Sequence, residues 1–274
     1  MTPPVRPPAR PADALLWLAG TAAFAFIYLP LAVVIVYSFH DSAIIAWPLR
    51  LGTLHWYGAL AHDRGLLDAA LASLKLALLA TAIALLVGVP GAFVLDRCEF
   101  PGKHAFRRLV LLPLILPGII TGVALLTFFS FVKLKLSSGF PLVPGWPVVL
   151  GHAAALTSVV ITQVFARLQR LDRAQEEASQ DLYANEWQTF WRVTFPSIRT
   201  AMLGAGLLVF TLSLDEIAVT FFLIGRQNTL PLQIWGLLRR GITPEVNAAS
   251  TLIFLLSVAV IVIWARLMRE DQPG

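Results

Sequence analysis

The sequence predicts an all-α polytopic membrane protein with six transmembrane helices and both termini in the cytosol, and three observations carry that prediction. The chain is 57% hydrophobic, only 14% charged, and has a mean hydropathy of +0.75. A soluble domain carries roughly a quarter charged residues. Apolar runs of the ~20 residues needed to cross a bilayer recur along the whole length. Basic residues are divided unequally between alternate connecting segments, as membrane topology requires.

Residues 1–13 are rich in Pro and carry Arg6 and Arg10, the composition of an extended cytosolic tail. The apolar run 14–38 is too long for a signal-peptide core and lacks a cleavage site, so it is the first span. Residues 40–64 are polar and aromatic, with Trp47, Trp56 and Tyr57 suited to an interface. The second span covers 66–95, with Asp68 and Lys75 near its outer end, where Lys75 can snorkel or pair. A short basic loop, 96–108, follows. In the third span, 109–132, Pro113 and Pro117 predict a kink, and Gly118 with Gly122 permits close helix contact. After an outer loop, 133–147, the fourth span runs over 148–166 and the fifth over 201–223. A loop, 224–245, leads to a sixth span ending near residue 267, so that 14–267 is one membrane domain and 268–274 a second cytosolic tail.

Of the Lys and Arg residues, thirteen (6, 10, 97, 103, 107, 108, 167, 170, 173, 192, 199, 266 and 269) fall in segments expected inside. Seven (50, 64, 133, 135, 226, 239 and 240) fall outside, and Lys75 lies in a span. The excess of +5 is therefore a topology signal, not a nucleic-acid footprint.

The segment 172–196 is the longest polar interruption between two apolar runs. Asp172 can cap a helix, with Gln175 at the capping-box position and Glu176 and Glu177 in the first turn, where the helix dipole favours acids. Ala174, Ala178 and Leu182 recur every four residues as a small apolar stripe. Asn185 is expected to break this helix, and Trp187, Phe190 and Trp191 fill a second turn before Pro196 opens the next span. A short helix that cannot bury its stripe in its own chain docks into another protein's groove.

Glu177-Ala178-Ser179, and Val193-Thr194-Phe195-Pro196 at the proper spacing, resemble the EAA loop of the permease subunits of bacterial ABC importers. Tyr183 stands where that family has glycine. Ser38-Phe39, Trp56-Tyr57, the run 71–76, Ser213-Leu214-Asp215-Glu216, Thr229-Leu230-Pro231 and residues 244–248 are similar to the C-type permease of spermidine/putrescine importers. The resemblance implies a type I ABC importer (MetI-like) permease fold in the bacterial inner membrane, with 172–196 as the loop that couples to an ATPase. It assigns ATPase coupling to Glu177, Ala178, Ser179, Leu182, Tyr183 and Pro196. It also implies a heterodimer with a second permease, two ATPase subunits that bind ATP, and an extracytoplasmic binding protein. Polyamine leads as substrate; ferric iron, aminoethylphosphonate, thiamine and opine-like cations stay open.

Asp215 and Glu216 sit in the expected fifth span, where a charge at the centre costs on the order of 2.5–3.5 kcal/mol. On a continuous helix, adjacent residues point about 100° apart. One acid would then line a pathway for a cationic substrate and the other tie helices together. A purely structural role for both is the competing reading. No phosphate-binding GxxxxGK[ST], HExxH or GxSxG motif occurs, so ATP hydrolysis belongs to a partner and no catalytic residue is assigned. His40, His55, His62, His104 and His152 are scattered and Cys98 is single, so neither a metal cluster nor a disulfide is expected. An ATP-independent carrier or channel and an intramembrane enzyme are the rival classes; co-purification with an ATPase separates them from the importer.

Overall fold

Long apolar runs without water to satisfy their backbone must close their hydrogen bonds internally, and the chain does so as helix. The structure is a computed structural model that describes residues 11–42, 49–132, 145–225, 227–239, 241 and 243–269. Trp47 and most of the 133–147 loop lie outside the described residues, as do most of both tails. In chain order the helices are α1 (Pro11–Tyr37), α2 (His55–His62), α3 (Arg64–Arg97), α4 (Lys103–Ile115), α5 (Gly118–Phe131) and α6 (Trp146–Leu168). They continue with α7 (Ala174–Asp181), α8 (Glu186–Thr189), α9 (Phe195–Asp215), α10 (Ala218–Leu223), α11 (Leu230–Leu238) and α12 (Pro244–Arg269). A π-turn, Phe190–Thr194, joins α8 to α9.

Among the described residues, four stretches of helix are long and apolar enough to cross a bilayer, and a fifth is gained if α4 and α5 count as one bent span. The sixth expected span corresponds to α12, whose Pro244–Ala259 portion qualifies only as a shorter apolar helix. The expected kink is a bend of 109° between α4 and α5, at Pro117. Pro117 has no N–H to donate and drives the preceding residue out of helical geometry. The expected basic loop 96–108 is mostly helix, because α4 already begins at Lys103. In the short turn before it, the Lys103 ammonium hydrogen-bonds the Glu99 carboxylate at 2.8 Å and holds it below the usual carboxylate range. A further helix, α11, occupies part of the expected loop 224–245.

The chain divides into two units, one of residues 1–62 with 237–260 and the other of 63–236 with 261–274. In the first, no residue of the apolar window of α1 is buried. Past its end, Ser38 Oγ donates to Ile35 O at 2.6 Å and therefore accepts from the Tyr57 hydroxyl, also at 2.6 Å. Trp56 Nε1 donates to His40 O at 2.7 Å. The Ser38-Phe39 and Trp56-Tyr57 pairs thus pack on each other.

In the second unit, α3 carries a buried stripe at helical spacing, including Ala69, Ala72, Leu76, Ala80, Ala84, Gly88, Ala92 and Leu95. Small residues on this stripe bring α3 close to α6. A Cβ at Gly88 would stand 2.6 Å from Val160 Cβ. Ala84, Ala92 and Leu95 of α3 meet Val160, Val164 and Leu168 of α6 and Ala205 and Val209 of α9. A second cluster joins Leu76, Phe129, Val148, Val149, Val219 and Leu223. Gly118 and Gly122 make the close contacts expected of them, against Ala218 and Phe222 of α10. Lys75 is half-buried, Asp68 is exposed, and neither forms an ion pair with a described residue.

Candidate functional site

The 172–196 segment folds as a helix, a left-handed stop, a second short helix and a widened turn. Asp172 Oδ1 accepts from Ala174 N at 3.0 Å, so it helps start α7, and Glu176 and Glu177 lie in the first turn as expected. The helix ends earlier than Asn185. Tyr183 has φ +64°, the one positive value at a non-glycine among the described residues. Its N–H donates to Gln180 O at 2.8 Å and that of Ala184 to Ser179 O at 3.2 Å, the paired bonds of a Schellman stop. The left-handed residue of this stop is usually glycine, which accounts physically for the family residue that Tyr183 replaces. Asn185 does not break a helix but starts one. Its Oδ1 accepts from Gln188 N at 2.9 Å, while Gln188 Oε1 accepts from Asn185 N at 3.1 Å. The capping box expected at Asp172–Gln175 therefore forms at Asn185–Gln188 instead.

Pro196 cannot donate to the carbonyl four residues back, and its ring would crowd that carbonyl in a regular helix. The chain widens just before it into the π-turn, where Phe195 N–H bonds Phe190 O. Trp187, Phe190, Trp191 and Phe195 cluster there, with Trp191 and Phe195 ring centroids 4.8 Å apart.

Two consecutive acids of this segment face opposite ways. Glu177 is exposed beside exposed Ala178, with Leu182 83% and Tyr183 98% exposed. Glu176 is 8% exposed, and its Oε1 accepts from Arg97 Nη2 at 2.5 Å and from the Thr194 hydroxyl. Ser179 and Thr189 hydroxyls lie 3.1 Å apart, tying α7 to α8. Asp96 accepts from Gln169 at 2.5 Å and pairs with Arg173 at 3.4 Å. A cleft of about 660 Å³ opens beside Glu176, lined by Phe93, Arg97, Glu186, Trp187 and their neighbours. Sequence reasoning read Glu176 only as a dipole acid and missed Arg97 and Thr194. The doubled acid, whose first copy lies on the face away from the Ala174–Ala178–Leu182 stripe, was the available signal.

The second candidate pair is arranged differently from expectation. Asp215 and Glu216 do not sit mid-helix, because α9 ends at Asp215 and Glu216 is extended, with φ −73° and ψ 115°. The 100° argument therefore does not apply. Glu216 Oε1 accepts from Val219 N at 2.8 Å and caps the N-terminus of α10. Asp215 is exposed and makes no hydrogen bond or ion pair with a described residue. Beside the break lies buried His152, with Nδ1 2.8 Å from Ser213 Oγ and Nε2 2.8 Å from Thr220 Oγ1. Thr220 spends its only hydroxyl hydrogen on Glu216 O at 2.7 Å, so His152 Nε2–H donates to it. The neutral ring then accepts from Ser213, and one imidazole bridges both sides of the break. His152 is a satisfied buried histidine, and no group of three or more metal-binding side chains occurs among the described residues.

The second unit thus combines apolar helices, an interrupted span and a firmly held acidic loop. The chain belongs to the family of binding-protein-dependent transport system inner membrane components, whose model matches residues 88–270. It is an inner-membrane permease subunit of an ABC importer, not an enzyme in itself. It is 34% identical over 257 residues to the putrescine transport system permease protein PotI of Escherichia coli K12, covering 91% of this chain and 89% of that protein. It is 32% identical over 251 residues to the spermidine/putrescine permease protein PotC of Haemophilus influenzae, covering 91% and 94%. A molybdenum permease protein, ModB of Mycobacterium bovis, is 29% identical over 270 residues, covering 92% and 94%. A bacterial ABC transporter that imports the acidic polysaccharide alginate shares the fold, with TM-score 0.67 at 14% identity over 97% of this chain and 100% of that one. The methionine transporter MetNI shares it at TM-score 0.61 and 16% identity, over 81% of this chain and 100% of the other.

Proposed function

We propose that this permease pairs with a second permease, two ATPase subunits and an extracytoplasmic binding protein to import polyamines by alternating access. The observation that carries the coupling role is the orientation of α7. Its Glu177 and Ala178, with Leu182 and Tyr183 of the stop that follows, are exposed, while Glu176 fixes the helix from behind. In this reading Ser179 and Pro196 set the loop's shape, both termini and the loop are cytosolic, and ATP is bound by the partner. The shared fold serves alginate and methionine elsewhere, so polyamine rests on the two permeases named for it, each matched along nearly its whole length.

Asp215 supports the same substrate class. Its carboxylate has no partner among the described residues and stands at the C-terminal end of α9, where the helix dipole also favours a cation. Glu216 is engaged in capping α10 and serves structure. The test is uptake of labelled putrescine and spermidine by proteoliposomes holding the full complex, with and without ATP. Glu177→Arg should release the ATPase and abolish ATP-driven uptake while membrane insertion survives. Wild-type uptake by Glu177→Arg would overturn the docking role and favour a carrier that needs no ATPase.

A further inference from the structure

We propose that Arg97, Glu176 and Thr194 are positioning residues that pass the movement of α7 to α3 and α9. This rests on the reading that α7 docks on the ATPase. The Glu176 carboxylate belongs to α7, yet one of its oxygens bonds Arg97, 79 residues away at the last position of α3, and Thr194 at the end of the π-turn. Three chain segments therefore meet on a single buried atom. The Arg97 guanidinium also lies 5.4 Å over the Phe93 ring, which packs on Phe190 at 5.8 Å. The same contact is thus braced by an aromatic step from α3 into the π-turn.

Of the other polar contacts described at this end, Ser179–Thr189 ties α7 only to the short α8. Asp96 ties the end of α3 to Gln169 and Arg173, which precede α7, and Arg167 Nε donates to Ser197 O at 2.8 Å. Helix α7 has no buried apolar residue, since Glu176 is its one buried side chain. A push on its exposed face therefore reaches the bundle through this carboxylate and the neighbouring Ser179–Thr189 contact. Beyond it, α3 and α9 are close-packed through Ala84, Ala205 and Val209, so a displacement of their ends is carried along the helices and not absorbed locally.

The experiment uses the complete complex in proteoliposomes with its binding protein, with putrescine as the probe. Bound ATPase, ATP hydrolysis and substrate moved per ATP are measured on each variant. Glu176→Gln and Arg97→Gln should keep the ATPase bound and hydrolysing but lower substrate moved per ATP by about tenfold, within the range of coupling between sites. Exchanging the charges, Arg97→Glu with Glu176→Arg, should restore most of that ratio, which assigns the loss to the pair and not to either residue alone; a merely structural role would lower bound ATPase together with the ratio. Thr194→Val, which leaves the ion pair intact, should lower the ratio by a smaller factor and decides the matter if a charge variant fails to assemble. An unchanged ratio in Glu176→Gln or Thr194→Val, or no rescue by the exchange, overturns the linkage. Failure of the docking reading is seen separately, as an ATPase that stays bound and drives uptake in Glu177→Arg.

Discussion

Tyr183 offers a sharp test of how α7 is held in shape. A left-handed conformation costs an L-residue roughly 1–2 kcal/mol, because Cβ crowds the following carbonyl. The ring is 98% exposed, so Tyr183→Gly removes that cost and loses almost no packing within the chain. Glycine is disfavoured by roughly 0.5–1 kcal/mol through its greater freedom in the unfolded chain. The net gain is therefore about 0.5–1 kcal/mol, which slows local opening by about two- to fivefold. The amides to follow are those of Tyr183 and Ala184, whose bonds to Gln180 and Ser179 close the stop. Hydrogen exchange in the detergent-solubilised complex should rank protection as Gly first, then Asn, then Tyr, with Val last because a β-branched residue tolerates positive φ least. Uptake by Tyr183→Gly should match wild type. Faster exchange in Tyr183→Gly than in wild type would refute the strain argument, and loss of the bound ATPase would show that the phenol ring itself belongs to the contact.

Three other outcomes are expected. Impermeant thiol reagents applied to intact cells should label Trp47→Cys in a Cys98→Ser background but leave Cys98 and a Glu177→Cys variant unlabelled; the opposite pattern refutes the orientation. Asp215→Asn should lower uptake of a cationic substrate about tenfold or more while the complex assembles and hydrolyses ATP, the size of effect expected when a charge-assisted contact worth ~1.5–3 kcal/mol is lost. Glu216→Gln keeps an acceptor for Val219 N and should stay near wild type, so equal wild-type uptake by both variants would return the acids to structure alone. Gly88→Ala sets a methyl against Val160, buried and β-branched, with Thr157 O 3.2 Å away, and should destabilise the permease by about 1–3 kcal/mol in a thermal melt; an unchanged melting temperature would show that α3 and α6 can move apart.

The apolar runs, the kink at Pro117 and the close contacts of Gly118 and Gly122 were legible because each follows from local chemistry. Proline lacks a donor and glycine lacks a side chain wherever they occur. The EAA register was legible too, and it marked Tyr183 as anomalous before its φ was known. The break after Asp215 was not legible. No proline or glycine lies within residues 211–223, and apolar residues continue on both sides of the two acids. What holds the break is tertiary: His152, on another helix, grips Ser213 and Thr220 on either side, and Glu216 caps the new turn. The inward turn of Glu176 was hidden for a similar reason, since its partner is 79 residues distant. Helix α11 escaped because nine residues between polar neighbours give little periodicity to read.

The π-turn before Pro196 also sets an azimuth. A π-turn holds one residue more than the α-helical path between the same two points, so everything upstream is rotated by about 100° about the axis of α9 relative to an unbroken helix. Refolding the same residues of 190–194 as regular α-helix would swing Trp187 and the 172–185 segment around the span by that angle and set them about 1.5 Å further off, whereas deleting one of those residues would leave them in place. The bearing of the loop is thus set by the form of the backbone at 190–194, π or α, separate from the side chains that pack the bundle. A permease built this way can re-aim its loop toward a differently placed ATPase groove without altering a single residue of its membrane core.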